Sequence, residues 1–241
     1  MLPAGILLRL GAIHPRFAAI RCSLLLCRGC LGPVGEGAEA GICARCWAGL
    51  VPLPEGRCPR CALQHAEETC PEATIWELGD ALWDYHGGRP PLGALLLPGI
   101  KQGETGWRTA LLRRLAQAPL PDWTADVDQV TSAPSALPRR LLRGFDLGAE
   151  AGRLIAGRID RPFEPLLSKG WLSGRQASRT ESQRRRLPRK AIALRRGAAP
   201  EGIVLLVDDV WTTGTTLLRC AQTLLEGGAA EVRVLTLFRA L

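Results

Sequence analysis

The stretch Ile203-Val204-Leu205-Leu206-Val207-Asp208-Asp209-Val210-Trp211-Thr212-Thr213-Gly214-Thr215-Thr216 decides the fold. Five apolar residues run straight into two adjacent acids, and a loop of Thr and Gly then leads to a helix-forming segment. An uninterrupted apolar run reads as a strand buried on both faces, as in a parallel sheet. The strand is expected over Ile203–Val207, which puts Asp208 and Asp209 where it ends, in the crevice where open α/β sheets bind ligands. Carboxylates there accept hydrogen bonds from vicinal ribose hydroxyls. The backbone N–H groups of Thr212, Thr213, Gly214, Thr215 and Thr216, at the start of the next helix, suit a phosphate dianion. The order fits a site for a sugar phosphate.

Working outward, Ile75 to Tyr85 reads as a strand or a pair of short strands, and Pro91–Leu97 and Thr105–Ala118 as helices. Asp126–Thr131 reads as a short strand. Asp146–Ile159 carries Leu147, Ala151, Leu154 and Ile155 at helical spacing. Thr215–Glu226 has Leu217, Leu218, Ala221, Leu224 and Leu225 on one face, with Gly227-Gly228 as a stop. Val232–Phe238 is a final strand. Strands alternating with helices predict an α/β protein with a mostly parallel sheet flanked by helices.

Nine cysteines occur in 241 residues. Cys27/Cys30, Cys43/Cys46 and Cys58/Cys61 are Cys-x-x-Cys pairs, and Cys70 follows alone. Paired thiolates at that spacing form knuckles, and two knuckles give tetrahedral zinc ligation. Cys27, Cys30, Cys43 and Cys46 are the first expected site, a closed structural one. Cys58, Cys61 and Cys70 supply a second, with His65 as a fourth ligand, because Ala73 stands where a further cysteine would fall. That second site is Cys₃His, degenerate or empty. Such a framework belongs to a reducing cytoplasm. Cys22 has no assigned role, and Cys220 reads as a small buried apolar residue. Three segments follow: a short helical one over 1–21, a small loop-rich zinc-ribbon domain over 22–74, and the α/β domain over 75–241.

Arg9, Arg16 and Arg21 interrupt the apolar N-terminus, so no run of about 18 apolar residues offers a membrane helix, and no insertion is expected. Lys plus Arg exceed Asp plus Glu by 31 to 23, a net charge of +8. A basic balance suits a polyanionic partner.

The opening stretch resembles the signature of type I phosphoribosyltransferases, which bind PRPP (5-phosphoribosyl 1-pyrophosphate). By that resemblance Asp208 and Asp209 hold the ribose 2′ and 3′ hydroxyls, and the Thr212–Thr216 loop holds the 5-phosphate. With the cysteine pairs ahead of it, the chain resembles the ComF family (ComFC or GntX-like proteins) from Cys27 to Leu241. In that family a double zinc ribbon precedes a phosphoribosyltransferase-type domain, and here the second ribbon lacks a cysteine. The family's Leu-Lys-Tyr-x-Gly segment appears as Ile100-Lys101-Gln102-Gly103, which makes Lys101 the cation for pyrophosphate. Its Arg-Gly-Phe-Asn-Gln appears as Arg143-Gly144-Phe145-Asp146-Leu147. There Arg143 contacts phosphates or orients the next helix, and Asp146 is also a good helix N-cap. Arg175-Gln176-Ala177-Ser178, with Arg184, Arg185 and Arg186, matches the basic hood over the active site.

The resemblance implies a PRPP-binding, Mg²⁺-dependent transferase whose catalytic groups are Asp208, Asp209 and Lys101. Its acceptor, a nucleobase for instance, is not specified. No residue stands out as a general base. Trp211, where a smaller residue is more usual, narrows the site or stacks on a base. The family is linked to DNA uptake in natural transformation. The alternative is therefore a non-catalytic nucleic-acid-binding competence protein that keeps the fold, with single-stranded DNA or other competence proteins as partners. Aromatic residues are only 5% of the chain, which offers few stacking platforms for single strands.

Overall fold

The computed structural model describes residues 26–65, 70, 74–135, 144–170 and 192–240. The expected helical segment over 1–21, Cys22, Ala73, Arg143 and the Arg175–Arg186 stretch lie outside the described residues. In chain order the elements are α1 (Ala44–Ala48), β1 (Leu78–Asp84), α2 (Leu92–Lys101), α3 (Thr105–Gln117), a 3₁₀ turn (Asp122–Asp126) and β2 (Gln129–Ser132). They continue with α4 (Leu147–Arg158), β3 (Leu167–Lys169), β4 (Ile192–Leu194), β5 (Ile203–Trp211), α5 (Thr215–Glu226) and β6 (Glu231–Arg239).

Four strands form one parallel sheet in the order β1-β6-β5-β2. Helices flank it, and β3 and β4 make a separate antiparallel pair. A parallel sheet is covered on both faces, so its central strands carry apolar residues on both. In β5, Leu205 and Val207 face a core shared with α2, α3 and α4, while Val204 and Leu206 face one shared with α5 and the β3–β4 pair. Both edges are closed. The Asp84 N–H bonds to the Val51 carbonyl at 2.9 Å along β1, and the Val130 N–H to the Pro162 carbonyl at 2.9 Å along β2.

The cysteine knuckles belong to these same cores. Cys27, Cys43, Cys46 and Trp47 are buried with Trp107 and Leu96 on one face, and Cys61 and Ala62 with Trp76 and Trp211 on the other. Indole N–H groups fasten them. Trp47 donates to the Glu39 carbonyl at 3.0 Å and Trp107 to that of Ala40 at 2.9 Å. Trp76 donates to the carbonyl of Arg60, inside the second knuckle, at 2.7 Å.

Four details differ from the sequence reading. β5 runs to Trp211, four residues beyond Val207, because β6 pairs with it as far as Trp211↔Arg239. The helix expected over Pro91–Leu97 continues to Lys101 despite an internal Pro98. Residues 126–128 stay outside β2, which begins at Gln129. The β3–β4 pair had no sequence signal, since three-residue strands carry too little alternation to read.

Gly79 reports on the docking of the second knuckle. A Cβ there would lie 2.6 Å from the Arg60 carbonyl oxygen and 2.7 Å from Trp76 Nε1, forcing apart the bond between them. Gly79→Ala is expected to destabilise the fold by about 1–3 kcal/mol, as overpacking does. A denaturant midpoint equal to wild type would contradict this account of the docking.

Candidate functional site

Asp208 and Asp209 lie within the last four residues of β5, where Asp208 pairs with Thr236, and not beyond the strand as its apolar run suggested. Lys101, the last residue of α2, places its Nζ 2.6 Å from Asp209 Oδ2. The Asp209 N–H in turn donates to Asp208 Oδ1 at 2.8 Å. A segment about a hundred positions earlier in the chain thus meets the acidic pair directly. Burial, followed by the charge of Asp209, pushes the Asp208 carboxyl up from 3.8 to about 7, while Lys101 pulls it down and Asp146 adds repulsion. Two adjacent carboxylates resist ionising together, and a bound cation would relieve that repulsion.

Beyond Trp211 the chain turns through Thr212, Thr213 and Gly214 into α5. Gly214 takes a left-handed conformation, φ 69°, as the residue capping α5, which glycine adopts without a Cβ clash. Thr213 and Thr215 bring their hydroxyl oxygens to 3.1 Å of one another. Thr212 and Thr213 are exposed, and Thr215 and Thr216 form the first turn of the twelve-residue α5. Free N–H groups at such a helix start, with the helix dipole, favour an anion.

Trp211 has a different role from the one expected. Its side chain is fully buried and meets the Trp76 ring edge-on at 5.3 Å between centroids. It belongs to the core under the second knuckle, so it neither narrows the crevice nor stacks on a ligand there. Asp146 caps α4, accepting from the Ala149 N–H at 3.3 Å. Cys220 is buried as expected, and burial pushes its thiol up.

A cavity of about 650 Å³ that no sequence signal revealed opens between the end of β2, the start of α4 and the β3–β4 pair. Ser132, Asp146, Arg153, Lys169 and Arg195 are among its lining residues. Asp146 and Arg153 come from the N-cap and body of α4, and Lys169 and Arg195 from the end of β3 and just past β4, so only folding brings the two groups to one space. Asp146 lies beside the acidic pair as well, since a Cβ on Gly148 would be 3.7 Å from Asp146 Oδ1 and 3.8 Å from Asp208 Oδ1.

Each cysteine set is gathered. The ligand atoms of Cys27, Cys30, Cys43 and Cys46 lie within 4.8 Å of one another, and so do those of Cys58, Cys61, His65 and Cys70. Either set can hold a metal ion. Sulfur separations of 3.7 Å for Cys27–Cys46 and 3.8 Å for Cys30–Cys43 match the edge of about 3.8 Å that tetrahedral Zn–S bonds of about 2.3 Å require. Burial opposes ionisation of Cys27, yet the N–H groups of Cys43, Cys30 and Gly29 hold its thiol down at about 6. Cys58 is likewise held at about 7 against its burial, by N–H groups of Arg60 and Cys61. Thiolates are the form that ligates metal. His65 Nε2 lies 3.2 Å from Cys61 Sγ, which brings the imidazole into the second set.

Residues 174–241 match the phosphoribosyl transferase domain family. The chain is 29% identical over 225 residues to the DNA utilization protein YhgH of Salmonella typhi, covering 83% of this chain and 91% of that protein. It is 29% identical over 219 residues to the protein of the same description from Salmonella typhimurium. Among solved structures, glutamine PRPP amidotransferase from B. subtilis aligns with a TM-score of 0.37 at 28% identity, over 54% of this chain and 25% of that one. Adenine phosphoribosyltransferase from Thermoanaerobacter pseudethanolicus aligns with a TM-score of 0.33 at 17% identity, over 64% and 86%. The match to the phosphoribosyl transferase domain family thus covers the C-terminal part of the chain, and the cysteine-rich segment precedes it. No helix among the described residues is long and apolar enough to cross a membrane.

The raised Asp208 carboxyl makes stability depend on pH. The folded chain holds that proton more tightly than the unfolded one. Ionisation therefore costs stability progressively as pH rises from about 4 to about 7, and the loss is complete above. Asp208→Asn removes the cost. Relative to wild type, the variant should gain on the order of 2–4 kcal/mol between pH 4 and pH 8. Parallel denaturation curves across that range would refute the placement of this carboxyl.

Proposed function

We propose that the crevice of Asp208 and Asp209 binds PRPP with Mg²⁺, and that the protein is a phosphoribosyltransferase of the ComF type. The observation that carries this reading is the approach of Lys101 to Asp209 beside the Thr212–Thr216 turn. The pair and the turn offer hydroxyl acceptors and N–H donors at adjacent positions, and Lys101 adds a cation for the pyrophosphate end. Arg143 and Arg175 are assigned to the same phosphates on the motif resemblance alone. The phosphoribosyl transferase match over residues 174–241, which contains the acidic pair, supports the ligand class.

In the reaction proposed, an acceptor nitrogen bonds to C1 of the ribose as the bond from C1 to the pyrophosphate oxygen breaks. The pyrophosphate leaves with that electron pair. Asp208 and Asp209 would hold the ribose of Mg²⁺-bound PRPP, and the ion, a hard cation suited to oxygen ligands, would supply neutralisation of the phosphate charge. The chain's own work is to fix the ribose through the two acids, to seat the 5-phosphate on the Thr212–Thr216 turn, and to meet the developing charge with Lys101. The cavity beside Asp146 is the space open to an acceptor.

Zinc is proposed for both cysteine sets. The four-thiolate set leaves no open position and is structural. Free thiolates that bind metal are suited to the reducing cytoplasm.

Calorimetry with Mg²⁺ and PRPP tests the site. Wild type should bind, and the Asp208→Asn/Asp209→Asn pair should lose affinity by roughly a hundredfold or more, as expected when hydrogen bonds to charged groups are lost. No heat from wild type, or equal affinity in the variant, would sink the assignment.

The description of the YhgH relatives as DNA utilization proteins, with the net charge of +8, supports a link to DNA uptake as a second reading. Single-stranded DNA should then bind at low salt, with affinity falling steeply as salt rises. Absence of binding at low salt removes direct contact with DNA from this reading.

A further inference from the structure

The geometry points to Arg239 as a positioning residue that ties the phosphate turn to the metal state of the Cys58/Cys61/His65/Cys70 cluster. This inference rests on the PRPP reading for the ligand of the turn, and on a metal in the cluster whose donor atoms fit one.

Arg239 ends β6 and is 2% exposed. Its guanidinium reaches in two directions. Nε donates to the carbonyl of Cys61, a member of the cluster, at 3.1 Å. Nη1 donates to the carbonyls of Trp211 at 3.0 Å and Thr212 at 2.7 Å, and to that of Ala240 at 3.2 Å. One rigid, planar group therefore bonds the backbone of the knuckle and the first residues of the phosphate turn together.

The direction of those bonds matters. In a planar trans peptide the N–H points opposite to the C=O. Holding the Thr212 carbonyl inward on Arg239, and that of Trp211 on Arg239 together with the Ala240 N–H at 2.9 Å, turns the N–H groups of Thr212 and Thr213 away from the buried guanidinium, on the exposed side of the turn. Those are donors the 5-phosphate needs. A second link runs parallel to the first. The Arg239 guanidinium lies 4.6 Å from the Trp211 ring centroid, Trp211 meets Trp76 edge-on, and the Trp76 indole bonds to the Arg60 carbonyl between Cys58 and Cys61. Both links end on the backbone of one knuckle. A metal that fixes Cys58 and Cys61 fixes the carbonyls of Arg60 and Cys61, and through them the orientation of the turn.

Lysine at position 239 keeps the charge but loses the fork that reaches both sides. Arg239→Lys should retain two zinc equivalents and still weaken Mg²⁺-PRPP binding by roughly ten- to a hundredfold. His65→Ala should lose one zinc equivalent and also weaken PRPP. In the double variant the His65→Ala effect should shrink, because the Arg239 route is cut and only the Trp76–Trp211 contact remains. Site-resolved amide exchange gives a readout independent of the ligand. Exchange at residues 212–216 should quicken in both single variants, and in wild type when zinc is chelated, and should return when zinc is restored.

Additive losses in the double variant, wild-type affinity in Arg239→Lys, or turn exchange indifferent to zinc would each overturn the inference. If Arg239→Lys fails to fold, the wild-type exchange with and without zinc decides. Should wild type bind no PRPP while turn exchange follows zinc, the PRPP reading fails and the coupling stands.

Discussion

A parallel sheet has no face to spare for water, and the four strands of this one among the described residues need cover on both faces. Here α2, α3 and α4 cover one face, and α5 with the β3–β4 pair covers the other. The cysteine knuckles supply more. One packs on each core, and the chain between them runs along the open edge of β1. The small segment therefore gains by docking the apolar burial that loop-rich metal modules lack on their own, and the sheet gains a closed edge.

Tryptophan does much of this joining. Trp47 and Trp107 serve the first knuckle, with Arg114 stacked 3.7 Å from the Trp47 ring centroid and Arg28 4.3 Å from that of Trp107. Trp76 and Trp211 serve the second. Each indole offers a large apolar face and one N–H, which suits a seam between a packed core and a loop-rich segment whose carbonyls it can bond. Trp211 sits next to the Thr212–Thr216 turn for this reason, and the same seam brings Arg239 between the turn and the second knuckle.

The acidic pair is a managed electrostatic conflict. Asp208 and Asp209 are adjacent in sequence and partly buried, a combination that favours protonation. Lys101 relieves it from one side, and the Asp209 N–H steadies the Asp208 carboxylate from another. A site of this kind is ready for a cation or for hydroxyl donors, since either removes the repulsion that the fold tolerates.

The sequence by itself determined the parallel sheet, the glycine turn into α5 and the two groups of cysteines that come together. These features are local: an apolar run into acids, a glycine before a helix, thiols at fixed spacing. Such signals survive because strand burial, turn geometry and metal ligation each constrain neighbouring residues. Lys101 was legible as a residue, but its ion pair with Asp209 was not, since the contact depends on α2 continuing past Pro98 to bring its last residue to the end of β5. Trp211 read as part of the site because it follows the acids in order, and pairing with β6 instead extends the strand and turns that ring into the core. Arg239, and the meeting of Asp146 and Arg153 with Lys169 and Arg195 around one cavity, were beyond sequence reasoning for one physical reason. Their partners lie far away in the chain, and only the closure of the sheet with its two knuckles sets them side by side.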